Sequence, residues 1–306
     1  MKILLATDGS RYAGEAVRLL RSLGPDRSFQ VDLVAVVPET VGPETSDPAT
    51  ETATVSPRVE DRVRMDVAAG WLDTAAAELE AAGIQVRTEI VHGVPEEALV
   101  ERCRTGGHDL VVAGVKGRGA APFFEVGRVA RHLVRWAPIS VLLVRERAER
   151  TRGFGTGAES EAGGFRVLVP TDGDAGSLEA SWRMLESLTP TDAGVEIVRV
   201  LEPSQSRTPI PAGEGTWTTG GSEAREPARR WAPSESHGSS RRPPRPESTI
   251  LRGRPAAAIA RWAASNDSDL VVLGLPRTDA SGACLLGKTA RELTWSSPCS
   301  VLMVRN

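Results

Sequence analysis

The residues best placed to do chemistry in this chain are glycines and cations gathered on one short stretch. Gly114 ends the apolar run Leu110-Val111-Val112-Ala113. Gly117 follows between Lys116 and Arg118, and Gly127 comes after nine more residues, directly ahead of Arg128 and Val129. Glycines at the end of a strand let backbone N–H groups approach an anion closely. A helix that opens at such a glycine turns its free N–H groups and the positive end of its dipole the same way. The chemistry this implies is anion binding, phosphate first. The plainer alternative is that the glycines only make tight turns and the cations are solvated. Asp8, in Thr7-Asp8-Gly9-Ser10, is the one acidic residue that stands out. It has no acid/base partner in sequence, which suits a turn-forming or ligand-orienting role better than a catalytic one.

These residues need elements to hold them. From Val126 onward, Val126, Val129, Ala130, Leu133, Val134 and Ala137 repeat at helical spacing, so a helix runs to the stop at Pro138. Ile139 to Val144 is then an apolar strand of the kind buried inside a parallel sheet. The whole arrangement is written twice. Leu270 to Gly274 repeats Leu110 to Gly114, Gly287 repeats Gly127, Pro298 repeats Pro138 and Val304 repeats Val144, each pair 160 positions apart. A constant offset over so long a stretch marks an internal duplication.

The remainder reads as strict alternation of strand and helix. A strand ending at Ala6 leads into a helix with Ala13, Ala16, Val17 and Leu20 on one face and Ser10 as its cap. A second strand covers Val31–Val37. Residues 38–60 form a Pro/Thr/Glu/Ser loop, and a helix over about 61–82 carries Val63, Val67, Trp71, Ala75 and Leu79. A strand from Ile84 ends at Val91-His92-Gly93, and Pro95 opens the next helix. Five strands alternating with four helices give an α/β fold with a doubly wound, open parallel sheet. The chain therefore divides into a first domain at 1–146, a linker at 147–164 and a second domain at 165–306. In the second, Pro-, Ser- and Arg-rich residues 202–248 replace the long helix and are expected to lack structure beyond a short helix near 222–232.

Composition narrows the function. The 306 residues carry a net charge of −3, which provides no general attraction for nucleic acid or anionic membrane. The amino terminus is too short for a signal peptide and no apolar run approaches a membrane span. Cys103, Cys284 and Cys299 lack disulfide or metal spacing. The expectation is a cytoplasmic protein with free thiols.

Together, Thr7-Asp8-Gly9-Ser10, Val91-His92-Gly93-Val94-Pro95 and the Gly114-x-x-Gly117-nine-Gly127 spacing resemble the universal stress protein family. Both halves carry the resemblance, so the chain looks like a tandem of two such domains. It implies two Rossmann-like five-stranded parallel sheets of the adenine nucleotide alpha hydrolase type. In the ATP-binding branch it implies that Asp8 and Val36 contact adenine, with Ala6 in the same set. Ala113, Gly114, Lys116 and Gly117 line ribose and phosphates. Gly127, Arg128 and Val129 take the triphosphate, as ATP or Mg-ATP. The resemblance also implies a pseudo-dimer of the two domains, with a homodimer through the last strands as a further option.

The chain departs from that pattern in places. Arg128 stands where the branch has Ser or Thr; a guanidinium can pair with phosphate, or can face solvent with Arg131 and Arg135. In the second half Arg277 replaces the second glycine, Pro276 stiffens the loop and Lys288 follows Gly287. That half is expected to be a degenerate site. Gly282 to Thr289 also fits the P-loop spacing, but it lies eight residues beyond the strand and has an apolar interior, so it is set aside. Two rivals to a binding module remain: a nucleotide-free scaffold that recruits a partner protein, and a slow ATPase.

Overall fold

A computed structural model describes residues 1–23, 28–38, 57–118, 126–146, 164–190, 193–202, 218–219, 247–275, 283–284 and 286–305. The first half runs β1 (Lys2–Thr7), α1 (Arg11–Leu23), β2 (Gln30–Val37), α2 (Pro57–Glu80), β3 (Gln85–His92), α3 (Pro95–Thr105), β4 (Leu110–Gly114), α4 (Arg128–Trp136) and β5 (Ser140–Val144). The second runs β6 (Arg166–Thr171), α5 (Ala175–Leu188), β7 (Gly194–Leu201), β8 (Thr218–Thr219), β9 (Glu247–Arg252), α6 (Pro255–Ser265), β10 (Leu270–Leu275), α7 (Lys288–Ser296) and β11 (Ser300–Arg305). Strand order is β3-β2-β1-β4-β5-β11-β10-β6-β7-β9-β8. Each half is thus built on five parallel strands, the second with the two-residue β8 added antiparallel at its edge, and the two join into one sheet. Within that sheet β5 meets β11 antiparallel, pairing Leu143 with Val301, Leu142 with Leu302 and Val141 with Met303.

The fully apolar strands sit where both sheet faces are covered. Every residue of β5 is buried, as are the first four of β4. The expected faces of α1 and α5 are buried, the latter through Leu178, Trp182, Leu185 and Leu188. The stripe on α2 is shifted. Ala68, Leu72, Ala75, Ala76 and Leu79 face the core, whereas Val63, Met65 and Val67 are exposed. Steps of four overshoot a helical turn by about 40° each, so five residues at that spacing cannot share one face. The helix also begins at Pro57, earlier than its apolar residues suggest. In the 202–248 stretch, β8 pairs with β9, where no structure was expected. The expected helix near 222–232 and most of the 38–60 loop lie outside the described residues.

The seam is reciprocal. The Arg145 N–H donates to Ser300 Oγ at 3.3 Å, and the Arg305 N–H donates to Ser140 Oγ at 3.2 Å. Arg145 Nη2 donates to the carbonyls of Thr294 and Trp295 at the end of α7 (2.5 and 3.0 Å). Arg305 donates from Nη2 to Val134 O and from Nε to Ile139 O (2.8 and 3.1 Å), at the end of α4. Each half therefore caps the last helix of the other, where the free carbonyls and the negative end of the dipole suit a cation. Both hydrogen-bonding sides of β5 and β11 are occupied within the chain.

Two features of the core carry predictions. Cys103, Cys284 and Cys299 are all buried, and burial pushes the Cys103 thiol up to about 12 and the Cys299 thiol up to about 11. Native protein at pH 8 should leave these two thiols unmodified by a disulfide reagent until denaturant is added; rapid labelling of either in the native state would contradict the burial.

Beneath β1 and β2, Asp32 accepts from Lys2 Nζ (3.0 Å) and lies 2.9 Å from the ring of buried His108. No partner for His108 was legible in sequence. Burial raises the Asp32 pKa, but hydrogen bonds from Lys2 and His108 outweigh it and the net shift is downward. The folded state then binds fewer protons than the unfolded one. The stabilisation is fully present above the unfolded value of 3.8 and is lost as pH falls through the lower folded value. Asp32→Asn should cost about 1–2 kcal/mol at pH 7 and flatten the acid side of a urea-denaturation series. An unchanged acid limb would contradict it.

Candidate functional site

In the first half the direction of strand succession reverses between β1 and β4, and a cleft of about 480 Å³ opens there at the carboxyl ends of the strands. Ala6, Val34, Val36 and Ala113 at the strand ends form its floor, and Pro95 and Leu99 of α3 line it on one side. All ten residues expected at a site line this one cleft: Ala6, Asp8, Val36, Ala113, Gly114, Lys116, Gly117, Gly127, Arg128 and Val129. Sequence reasoning missed Val34, Pro95 and Leu99, whose apolar types carry no signal of their own. Arg131 is exposed, as its polar helix face suggests, and it also lines the cleft and sits 6.0 Å from the Trp295 ring of the second half.

The three glycines do different things. A Cβ on Gly114 would stand 2.6 Å from Tyr12 Cβ, so this glycine lets α1 lie close against β4. A Cβ on Gly117 would stand 2.5 Å from Asp8 Oδ2. Gly127 meets nothing nearer than 3.4 Å and leaves the start of α4 open to the cleft. Asp8 ties the loops together: Oδ1 accepts from the Ser10 N–H (3.0 Å) and Oδ2 from the Arg118 N–H (2.8 Å). The Arg118 guanidinium lies over the Trp71 ring at 4.8 Å, and that ring closes on Gly9, whose φ of +68° would strain any side chain. The Arg128 side chain is largely exposed, at 70%, and is tethered at one point. Its Nε donates to Glu96 Oε1 at 3.0 Å.

Charge is one-sided here. Among the described residues, Lys116, Arg118, Arg128 and Arg131 line the cleft against Asp8, with Glu96 paired to Arg128 beside it. Together with the amino end of α4, they make an electropositive recess over an apolar floor, a place for an anion attached to a flat apolar group. His92 does not reach it. It lies in a separate groove with His132, Trp136 and Glu97.

The second half has its own cleft, of about 800 Å³, lined by Asp172, Arg199, Glu202, Gly274, Gly287 and Lys288 among others. The obstruction expected there rests on Pro276 and Arg277, which lie outside the described residues. Gly282 and Leu285 of the P-loop-like stretch are also outside them. Cys284 is buried, and its N–H donates to Arg135 O of the first half, so this part of the stretch serves the seam.

The universal stress protein family model matches residues 1–145 and 165–305. The chain belongs to the universal stress protein family. It carries two copies of the family's domain, each with the Rossmann-like strand order. A universal stress protein of Thermus aquaticus, named for its place in a sulfhydrylase 3' region, is 39% identical over 62 residues, 20% of this chain and 45% of that one. The chain thus spans under half the length of that relative. Universal stress protein MJ0531 of Methanocaldococcus jannaschii is 29% identical over 147 residues, 46% of this chain and 81% of that one. Among solved structures, a universal stress protein from Archaeoglobus fulgidus superimposes with TM-score 0.64 at 16% identity, over 99% of this chain and 98% of that one. PA1789 of Pseudomonas aeruginosa gives 0.57 at 18%, over 99% and 92%. The tandem arrangement extends to both structures at the level of fold. Among the described residues, no helix is long and apolar enough to cross a membrane.

Proposed function

We propose that the first-half cleft of this universal stress protein binds an adenine nucleotide, ATP or Mg-ATP, as a sensing module rather than an enzyme. One observation carries the reading: an apolar floor at the strand ends leads into an electropositive loop and helix start. The floor suits the base, and the N–H groups following Gly127 with Lys116 suit the phosphates. Asp8 is the one carboxylate among the described residues lining the cleft, and both of its oxygens hold backbone N–H groups. It is a brace for the loops and for adenine, not a general base, and Mg²⁺ would arrive on the phosphates. The paired halves act as an intramolecular dimer, in the cytoplasm where buried thiols stay reduced. The test is nucleotide analysis of the purified protein after acid denaturation, with melting followed as Mg-ATP is added. Bound ATP or a rise in Tm supports the reading, and neither would overturn it. The scaffold reading draws on Val63, Met65 and Val67, exposed on α2 as a surface for a partner.

A further inference from the structure

Glu96 is the acidic residue that the proposed function leaves unused. It sits in the first turn of α3, between Pro95 and Leu99 of the cleft lining, and is 9% exposed. Its Oε1 accepts from Arg128 Nε at 3.0 Å. Its Oε2 is fully buried and has no hydrogen-bond partner among the described residues. Arg128 is the first residue of α4, where a cation is opposed by the helix dipole, so the carboxylate of Glu96 offsets an otherwise unfavourable placement. The second half has Ala256 and Lys288 at these positions, so the pair is particular to the first cleft.

Resting on the nucleotide reading of this cleft, we infer that Glu96 sets its selectivity for phosphate-chain length by holding Arg128 back from the chain. A polyphosphate that reaches the start of α4 competes with Glu96 for the guanidinium. Drawing Arg128 away strands a buried carboxylate that already has one unsatisfied oxygen, and that penalty opposes the gain at the phosphate. A monophosphate, held nearer Gly114 and Gly117, leaves the pair intact. Glu96 is therefore a positioning residue. It lowers affinity for the triphosphate without touching the nucleotide.

Removing the carboxylate frees Arg128. Calorimetric titration of the full chain with ATP and with AMP, at one ionic strength, should show Glu96→Gln tightening ATP binding about tenfold, the worth of one charge-assisted hydrogen bond. AMP binding should change by less than about twofold, within the coupling expected of a contact it does not reach. In an Arg128→Ser background, adding Glu96→Gln should leave both affinities unchanged. An equal gain for AMP, no gain for ATP, or a gain that persists without Arg128 would overturn the inference while leaving nucleotide binding intact. If wild type and every variant fail to bind either nucleotide, the proposed function falls and this inference with it.

Discussion

Gly117→Arg should weaken ATP binding by roughly a hundredfold, two tenfold steps of about 1.4 kcal/mol each. Even a Cβ at this position would stand 2.5 Å from Asp8 Oδ2. The loop must therefore move or Asp8 must release the Arg118 N–H, and either change alters the cleft between the β1 turn and the start of α4. The side chain beyond the Cβ then crowds the cleft that Gly117 lines. On the proposed function, ATP at a hundred times its Kd should stabilise the wild-type fold by about 2.7 kcal/mol. The variant at the same concentration should show almost none of that gain, while its melting without nucleotide shifts much less. Retained ATP stabilisation would mean that the ligand lies elsewhere.

Arg305→Ala should destabilise the protein by about 3 kcal/mol, the combined worth of two charged hydrogen bonds to carbonyls left without a donor. The carbonyls are those of Val134 and Ile139, at the end of α4. Burial pulls the Arg305 pKa down from its ordinary value, but two acceptors and the helix dipole favour the charged form. Arg145→Ala should behave alike at Thr294 and Trp295, because the seam is reciprocal. Urea midpoints at constant m-value give the comparison. A loss below about 1 kcal/mol for both would show that solvent replaces these bonds and that the β5–β11 ladder alone holds the seam.

The sequence made much of this legible, and the limits have physical causes. The repeated strand-glycine-helix pattern lies within some 35 residues, and local periodicity reports it directly. The ten site residues gather because a parallel sheet brings the carboxyl ends of β1, β2 and β4 together. What stayed hidden is long-range side-chain pairing. His108 finds Asp32 across 76 positions, and Arg128 finds Glu96 on the neighbouring helix. Neither spacing has a period that could announce it. The face of α2 was misjudged at Val63 and Val67, because a run of four-residue steps imitates a stripe while drifting round the helix. Gly114 shows a different limit: its place in the strand-end glycine spacing conceals that close packing against Tyr12 requires it.

The two clefts differ in the charge on their walls. The described wall of the first sets four cations against one carboxylate, whereas that of the second carries Arg199 and Lys288 against Asp172, Asp174 and Glu202. A triphosphate should distinguish them strongly. Calorimetric titration of nucleotide-free protein with Mg-ATP tests this most directly. The account predicts one site per chain, weakened about a hundredfold by Gly117→Arg. No binding, or one site whose affinity Gly117→Arg leaves unchanged, would contradict it.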